Sequence, residues 1–436
     1  MHRFLSCGSL VVMAVWLGLP ASAQQPVGGR GGGESLAALL AEAERHNPEI
    51  QAAYREWLAA THVAPQVGSL PDPEVSIQHQ SVGSPRPFAG WTNSDFAYIA
   101  FGVTQRIPLP GKRALRRGIA EAQAAALQER YEAVRRDVFG RLEQAYFRAA
   151  RARALITIVE TQRELADEMV QAAEARYRSG GGSQQEVLQA QMEVTRLLEN
   201  LEELRLDEDQ AQAELRYLLG RGQQEPAVAV AALAETPVRL DLDELLQRLP
   251  TTDPHLREAT EQLHGAEQAV ELARREFSPD FGLSYLWQHT AAPFRDMYML
   301  TLTIDLPIHR RGRLLPALEQ AQQEQLAARE RYRTELARAA QTLRESLDTV
   351  HRTEQLLRVL QQGLLPQAQA AFQAALAEYA SGTADFQSLL SAFRSLLTAQ
   401  QQQVEATAAH ETAIAQIEQL TGLTIVSAAG GQGGRP

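Results

Sequence analysis

The side chains that most readily carry chemistry are thinly spread in this sequence. One cysteine, Cys7, and ten histidines are scattered over 436 residues. A single cysteine makes no disulfide within one chain and offers no cysteine-based zinc site. His79, His289 and His309, with Met297 and Met299, fall in or beside stretches of alternating polarity, where soft metals could in principle be held. No His-x-His or paired His/Cys spacing supports such a site, so no metal site is expected. Glu202, Glu203, Asp207, Glu208 and Asp209 form an acidic run on a predicted helix. It reads as a solvated face or, alternatively, as the lining of a cation path. There is no Gly-x-Ser-x-Gly, no phosphate loop and no dinucleotide fingerprint, so no catalytic residue, enzyme activity or cofactor is predicted. A net charge of −11 also excludes a chain-wide basic footprint for nucleic acid.

With so little local chemistry, function must reside in the elements. Met1-His2-Arg3, the apolar run Leu10 to Leu17, and Ala21-Ser22-Ala23 read as a cleavable export signal over residues 1–23. Residues 24–33 follow as a flexible linker. The rest reads as a duplication. Asn47-Pro48-Glu49-Ile50 returns as Asp253-Pro254-His255-Leu256 (253 − 47 = 206), and Pro73 to Ile77 returns as Pro279 to Leu283 at the same spacing. Ile107-Pro108 returns as Leu306-Pro307 (306 − 107 = 199). Tyr177-Arg178-Ser179-Gly180 returns as Tyr379-Ala380-Ser381-Gly382, and Leu218-Leu219-Gly220 as Leu420-Thr421-Gly422 (379 − 177 = 202). Five matches in one order define a first repeat over 34–220 and a second over 241–423, with a linker at 221–240 and a flexible tail at 424–436.

Each repeat predicts a helix, two strands and a long helical hairpin. The first arms run from Lys112 to Arg178 and from Gly312 to Ala380, within hairpins 112–219 and 312–421. At 1.5 Å per residue each arm is on the order of 100 Å long. The returning helices carry heptad seams, with Val187, Ala190, Val194, Leu197 and Leu201 in one and Leu389, Ala392, Leu396 and Ala399 in the other. Polar Gln403 and His410 interrupt the second seam. The strands are placed at about 73–82, 95–107, 280–289 and 296–307. Phe281, Leu283, Tyr285 and Trp287, and then Tyr298, Leu300, Leu302 and Ile304, form one bulky apolar face. Ten alternating residues is the length of a tilted membrane β-strand. The alternative is a pair of soluble hairpins packed on a helix. In lipid every β edge must be paired, and four strands do not close. Eight strands make a barrel filled by side chains, so a conduit calls for three chains and twelve strands.

This pattern resembles the TolC-type outer-membrane efflux proteins over about Ser35 to Leu423. The resemblance implies a mainly helical fold with a small β part. Long antiparallel coiled-coil hairpins would form a periplasmic α-barrel, and four strands per chain would join a trimeric twelve-stranded barrel in outer-membrane lipid. Leu70-Pro71-Asp72-Pro73 and Thr104 to Arg113 are similar to the CzcC-like branch paired with heavy-metal exporters. The implied role is a passive duct that meets a periplasmic adaptor of the membrane-fusion type and an inner-membrane RND-type pump, exporting heavy-metal cations. Drug efflux or type I protein secretion keeps the same fold. An exported coiled-coil scaffold without a pore is the alternative of another class.

The resemblance also implies a periplasmic aperture at Glu186, Tyr379, Ser388 and Ser391, and adaptor-contacting tips at Gly180, Ser183, Gly382 and Asp385. The usual aperture arginine falls on Ala384, and the second-repeat acids on Ser388 and Ser391. The mouth is therefore expected to be held by few bonds, with the Tyr379 hydroxyl donating to a carboxylate such as Glu186.

Overall fold

A computed structural model describes residues 34–80, 97–290 and 296–423. The expected export signal, N-terminal linker and C-terminal tail, and the outer ends of the first two predicted strands, lie outside the described residues. Three helices open the chain: α1 (Leu36–His46), α2 (Pro48–Thr61) and α3 (Val63–Gly68). The break between α1 and α2 is built by Asn47-Pro48. The Asn47 side chain accepts from the Glu49 and Ile50 amides, while Pro48, at the first helical position, has no N–H to leave unpaired. Strands β1 (Glu74–Gln80) and β2 (Tyr98–Ile107) follow, and then the hairpin of α4 (Lys112–Arg178) and α5 (Gln184–Leu219).

The second repeat gives α6 (Leu242–Thr252), α7 (Pro254–Arg275), β3 (Asp280–Thr290) and β4 (Asp296–Asp305). Its hairpin consists of α8 (Leu315–Val359) and α9 (Leu365–Ser381) against α10 (Phe386–Thr421). Asp253-Pro254 reproduces the Asn47-Pro48 corner, with Asp253 accepting from the His255 amide.

The two first arms differ. α4 is continuous over 67 residues. Its counterpart is not the single helix expected over Gly312 to Ala380. It enters through a π turn at Arg310–Leu314 and passes through another at Leu360–Leu364. Pro366 sits just past the second turn and has no N–H to offer the preceding carbonyls. The repeat spacing supplies a further reason. It grows from 199 at the strand ends to 202 at the tips, so the second arm carries three extra residues (202 − 199 = 3). A π turn takes up one extra residue without ending the helix, and two such turns absorb two of the three.

Heptad positions form the helical core. Near the tips, Ala190, Leu197 and Leu201 of α5 pack with Leu389, Phe393 and Leu396 of α10, together with Met169 of α4 and Phe372 of α9. α4 packs on both α5 and α10, and α10 on α8 and α9. Buried His410 keeps the second seam polar at that level, its Nε2 donating to the Thr236 carbonyl at 3.1 Å. Glu411, also buried, accepts from the amide and the hydroxyl of Thr236 at 2.8 Å each. The inter-repeat segment 221–240 holds no helix or strand, yet these bonds strap it along α10. No helix among the described residues is long and apolar enough to cross a membrane.

The strands make one antiparallel sheet in the order β1-β2-β3-β4. Its register gathers Ile77, Phe101, Trp287 and Tyr298 into one row and Val75, Val103, Tyr285 and Leu300 into the next, on one face. Leu283 pairs with Leu302 and Phe281 with Ile304 on that same face. The opposite face carries Glu74, Thr104, Ser284 and Thr301, with Gln78, Ala100, Gln288 and Met297 as another row. One face is mostly apolar, with Gln105 in the Leu283 row and His79, His289 and Asp296 around Ile99 at one end, and the other is largely polar. The weakly alternating first pair thus joins the strong second pair in register.

Candidate functional site

The hairpin tips bring together residues far apart in sequence. Gly180 (φ 77°) and Gly382 (φ 80°) reverse the chain in the left-handed region that side chains avoid. Ser183 then caps α5 by accepting from the Glu186 amide, and Asp385 caps α10 by accepting from the Ser388 amide at 2.8 Å. Both caps are exposed, as are Gly180 and Gly382.

Tyr379, in the last turn of α9, is 0% exposed. Its hydroxyl donates to the Glu186 carboxylate at 2.8 Å, joining the second tip to the first. This bond forms within one chain. Burial, and then the carboxylate that accepts its proton, push the Tyr379 hydroxyl well above the ordinary phenol range, so it stays a donor at any physiological pH. Phe386 meets the Tyr379 ring edge-on at 5.6 Å. Ser388 and Ser391 are not drawn into this pair. Both are exposed on α10, where Ser391 lines a shallow groove with Leu364, Gln387 and Arg394.

Within one chain the tips are joined by more than the Tyr379–Glu186 bond, because Arg176 of α4 lies between them. Its guanidinium donates to the carbonyls of Tyr379 at 3.0 Å, Ala384 at 3.3 Å and Gly181 at 2.9 Å. It also lies 4.6 Å from the centre of the Tyr379 ring. The position that lacks an arginine, Ala384, is thus bonded to one from the other repeat. Two rungs further up, Gln387 donates to Gln189 at 2.9 Å, and Arg394 of α10 makes two bonds to buried Glu193 of α5. Sequence reasoning passed over Arg176 because a basic residue in the last turn of a helix ordinarily serves the helix dipole. Glu202 and Asp207 of the acidic run pair with Arg205 and Arg151, as a solvated face would.

A second constellation sits at the other end of α4. Lys112 is the only lysine in the sequence, against 41 arginines (42 − 1 = 41). It is 1% exposed and donates to Glu276 at 3.3 Å, to the Ser278 carbonyl at 3.0 Å and to Asp280 at 3.1 Å. Asp280 also accepts from the Leu109 amide, so one acid ties the β2–α4 connection to the start of β3. An ammonium suits three acceptors arrayed around a point, where a planar guanidinium would not. Gly111 (φ 99°) brings the chain into α4, and a Cβ there would lie 2.6 Å from Arg275. The Thr104 to Arg113 motif therefore builds the corner between sheet and helices. Among the described residues, no group of three or more His, Cys, Asp or Glu side chains is placed to hold a metal ion.

A duplicated arrangement of a four-stranded sheet on two long hairpins has known counterparts. The family model of outer membrane efflux proteins matches residues 39–221 and again 245–423. The chain belongs to the outer membrane efflux protein family. Its place is the outer membrane, with a large periplasmic helical part. The pyoverdine export outer membrane protein OpmQ of Pseudomonas putida is 26% identical over 249 residues, which cover 56% of this chain and 53% of OpmQ. The match thus spans about half the length of that curated relative. Among solved structures, VceC of Vibrio cholerae superposes with a TM-score of 0.76 at 22% identity, covering 89% of this chain and 96% of that one. The outer-membrane channel OprN does so with a TM-score of 0.76 at 19% identity, covering 90% of each chain. These likenesses establish the efflux-protein fold.

Proposed function

We propose that this efflux protein is the outer-membrane duct of a three-component export system, assembled from three copies of the chain. The sheet carries this reading. It is mostly apolar on one face, largely polar on the other, and among the described residues it has two outer edges, on β1 and β4, with no neighbour. In lipid those edges must be paired by other copies. Twelve strands leave a passage where eight would be filled. The arms of about 100 Å then prolong that passage away from the membrane.

The proposed closed mouth lies at the tips, where Tyr379 and Glu186 join the two hairpins and Ser388 and Ser391 face outward beside them. Gly180, Ser183, Gly382 and Asp385 form the surface offered to a periplasmic adaptor, through which an inner-membrane RND-type pump delivers cargo. The proposed cargo is heavy-metal cations, on the similarity of the Leu70 to Pro73 and Thr104 to Arg113 motifs to the metal-exporting branch. OpmQ's name favours a second reading, export of pyoverdine. Deleting the gene and challenging the strain with zinc, cobalt and cadmium salts, dyes and antibiotics separates them. Metal sensitivity alone supports the first reading, and unchanged metal tolerance contradicts it. For the assembly, native mass measurement of detergent-extracted protein should give three copies, and a stable monomer that still conducts would contradict the duct.

A further inference from the structure

Strand β4 leaves the sheet without ending its apolar phase. Tyr298, Leu300, Leu302 and Ile304 alternate along one face, and the same phase runs past Asp305 to Leu306 and Ile308. These last two are 66% and 74% exposed. Tyr298 to Leu306 is eight residues (306 − 298 = 8), which at the tilt of a barrel strand covers roughly 20 Å of height. That is most of the apolar band of an outer-membrane barrel. The chain then tightens. The Ile308 amide donates to the Leu306 carbonyl and the Arg310 amide to the Ile308 carbonyl, both at 2.9 Å. The π turn Arg310–Leu314 therefore begins immediately beyond the last apolar side chains.

Three of the five residues in that turn are arginines, Arg310, Arg311 and Arg313. All three are exposed, and among the described residues none makes an ion pair or a side-chain hydrogen bond. The entrance to the first arm is built differently. Continued from the strand ends at the spacing of 199, the counterparts are Gly111, Lys112 and Ala114. The one cation there, Lys112, is buried among its own acceptors. Exposed arginines elsewhere hold carboxylates on their own helix, as Arg274 holds Glu271 and Arg333 holds Glu330. The second entrance thus sets three cations beside two bare aliphatic side chains, and no carboxylate of the chain pairs with them.

We propose that this patch docks an anionic phospholipid of the periplasmic leaflet, phosphatidylglycerol in its chemistry, with acyl chains against Leu306 and Ile308 and the phosphate among the arginines. The proposal rests on the reading of the apolar face as lipid-facing. A further copy paired along β4 takes its edge, in the plane of the sheet, and leaves that face open. Guanidinium forks match phosphate oxygens two at a time. Each cation close to an anionic lipid surface strengthens binding about fivefold.

The test is native mass measurement of the full-length, detergent-extracted protein titrated with dioleoyl phosphatidylglycerol or dioleoyl phosphatidylcholine. Wild type should retain phosphatidylglycerol at about tenfold lower concentration, or better. The triple variant Arg310→Gln, Arg311→Gln, Arg313→Gln should lose that preference. Arg329→Gln with Arg331→Gln, which removes two exposed charges further along α8, should keep it. If the triple variant does not assemble, Arg311→Gln decides alone. A loss of about fivefold in an intact assembly supports the site, and parental retention overturns it. Dissociation of Arg311→Gln into single chains, with lipid retention per chain unchanged, assigns the arginines to contact between copies and overturns the site. Displacement of the lipid by an equal concentration of glycerophosphoglycerol, the headgroup without chains, overturns the lipid assignment. Equal retention of both lipids by the wild type overturns the site alone if the protein still reconstitutes into phosphatidylcholine vesicles. Failure to reconstitute into vesicles of either lipid overturns the lipid-facing reading as well.

Discussion

Tyr177 and Tyr379 occupy equivalent places in the two repeats, yet the first is 50% exposed and the second 0%. Their neighbours diverge in the same way. Arg176 before the first tyrosine reaches across to the other tip, while Glu378 before the second does not. Glu186 after the first tip receives a hydrogen bond from the second repeat, while its counterpart Ser388 (186 + 202 = 388) remains exposed. The two turns at equivalent positions therefore play unlike parts in the link between the hairpins. The arms diverge in parallel. The first is a continuous helix that buries a carboxylate, Glu143, whereas α8 buries only small and apolar side chains and the hydroxyls of Ser346 and Thr353.

The largest effect is expected at the entrance to the first arm. Lys112→Met removes a buried ammonium from Glu276 and Asp280, which remain about one-third exposed, and should cost roughly 2–4 kcal/mol. Heat-modifiable migration of the assembled protein should be lost or weakened. Arg311→Met, in the exposed entrance of the second arm, should stay within about 0.5 kcal/mol. Equal effects of the two would remove the distinction between the entrances.

The sheet offers a contrast between faces. Leu302→Arg and Leu283→Arg place a charge among the apolar rows and should each cost roughly 2–4 kcal/mol near the bilayer midplane. Thr301→Arg, on the polar face, should assemble like the parent. Outer-membrane fractionation reads the outcome, and unchanged assembly of both leucine variants would contradict the lipid-facing assignment.

The two arms should also differ in their response to pH, because only the first buries a carboxylate, Glu143. Burial, with Glu418 adding to it, pushes its carboxyl up to about 8. A raised carboxyl stabilises the fold fully below its unfolded value near 4.5, and that contribution fades as pH rises through about 8. Glu143→Gln should therefore melt like the parent at pH 4 and be more stable at pH 8, by up to roughly 4 kcal/mol. Glu345→Gln, at an exposed position of α8, should show no such slope. The smallest effect is expected at the first tip itself. Tyr177→Phe should leave melting and conductance within error of the parent, because its ring is half exposed and its hydroxyl has no role in the link between tips.

Much of this was legible in the sequence. Period-two alternation marked the strands, since residues Phe281 to Trp287 and Tyr298 to Ile304 alternate strictly in bulk. The family resemblance implied that Tyr379 and Glu186 meet, and each lies within two turns of a glycine reversal. What escaped depended on packing between hairpins. Arg176 looks like an ordinary last-turn base until the second tip is set against it. The π turns were implicit in a spacing that grows from 199 to 202, but the number alone does not say where a helix takes up its extra residues. Lys112 passed as an ordinary helix-entry residue, because its acceptors, more than 160 residues away, become visible only in the folded corner.

The central claim is that the joined tips close the duct, and single-channel conductance of the Tyr379→Phe, Glu186→Gln double variant tests it most directly. The substitutions remove the hydroxyl and the charge of the 2.8 Å bond and leave both side chains close to their native shape. A charge-assisted bond of this kind contributes about 1.5–3 kcal/mol, enough to change a two-state population at least tenfold. The account predicts an intact trimer with higher open occupancy and larger mean conductance than the parent. An intact trimer with parental conductance and occupancy would contradict it.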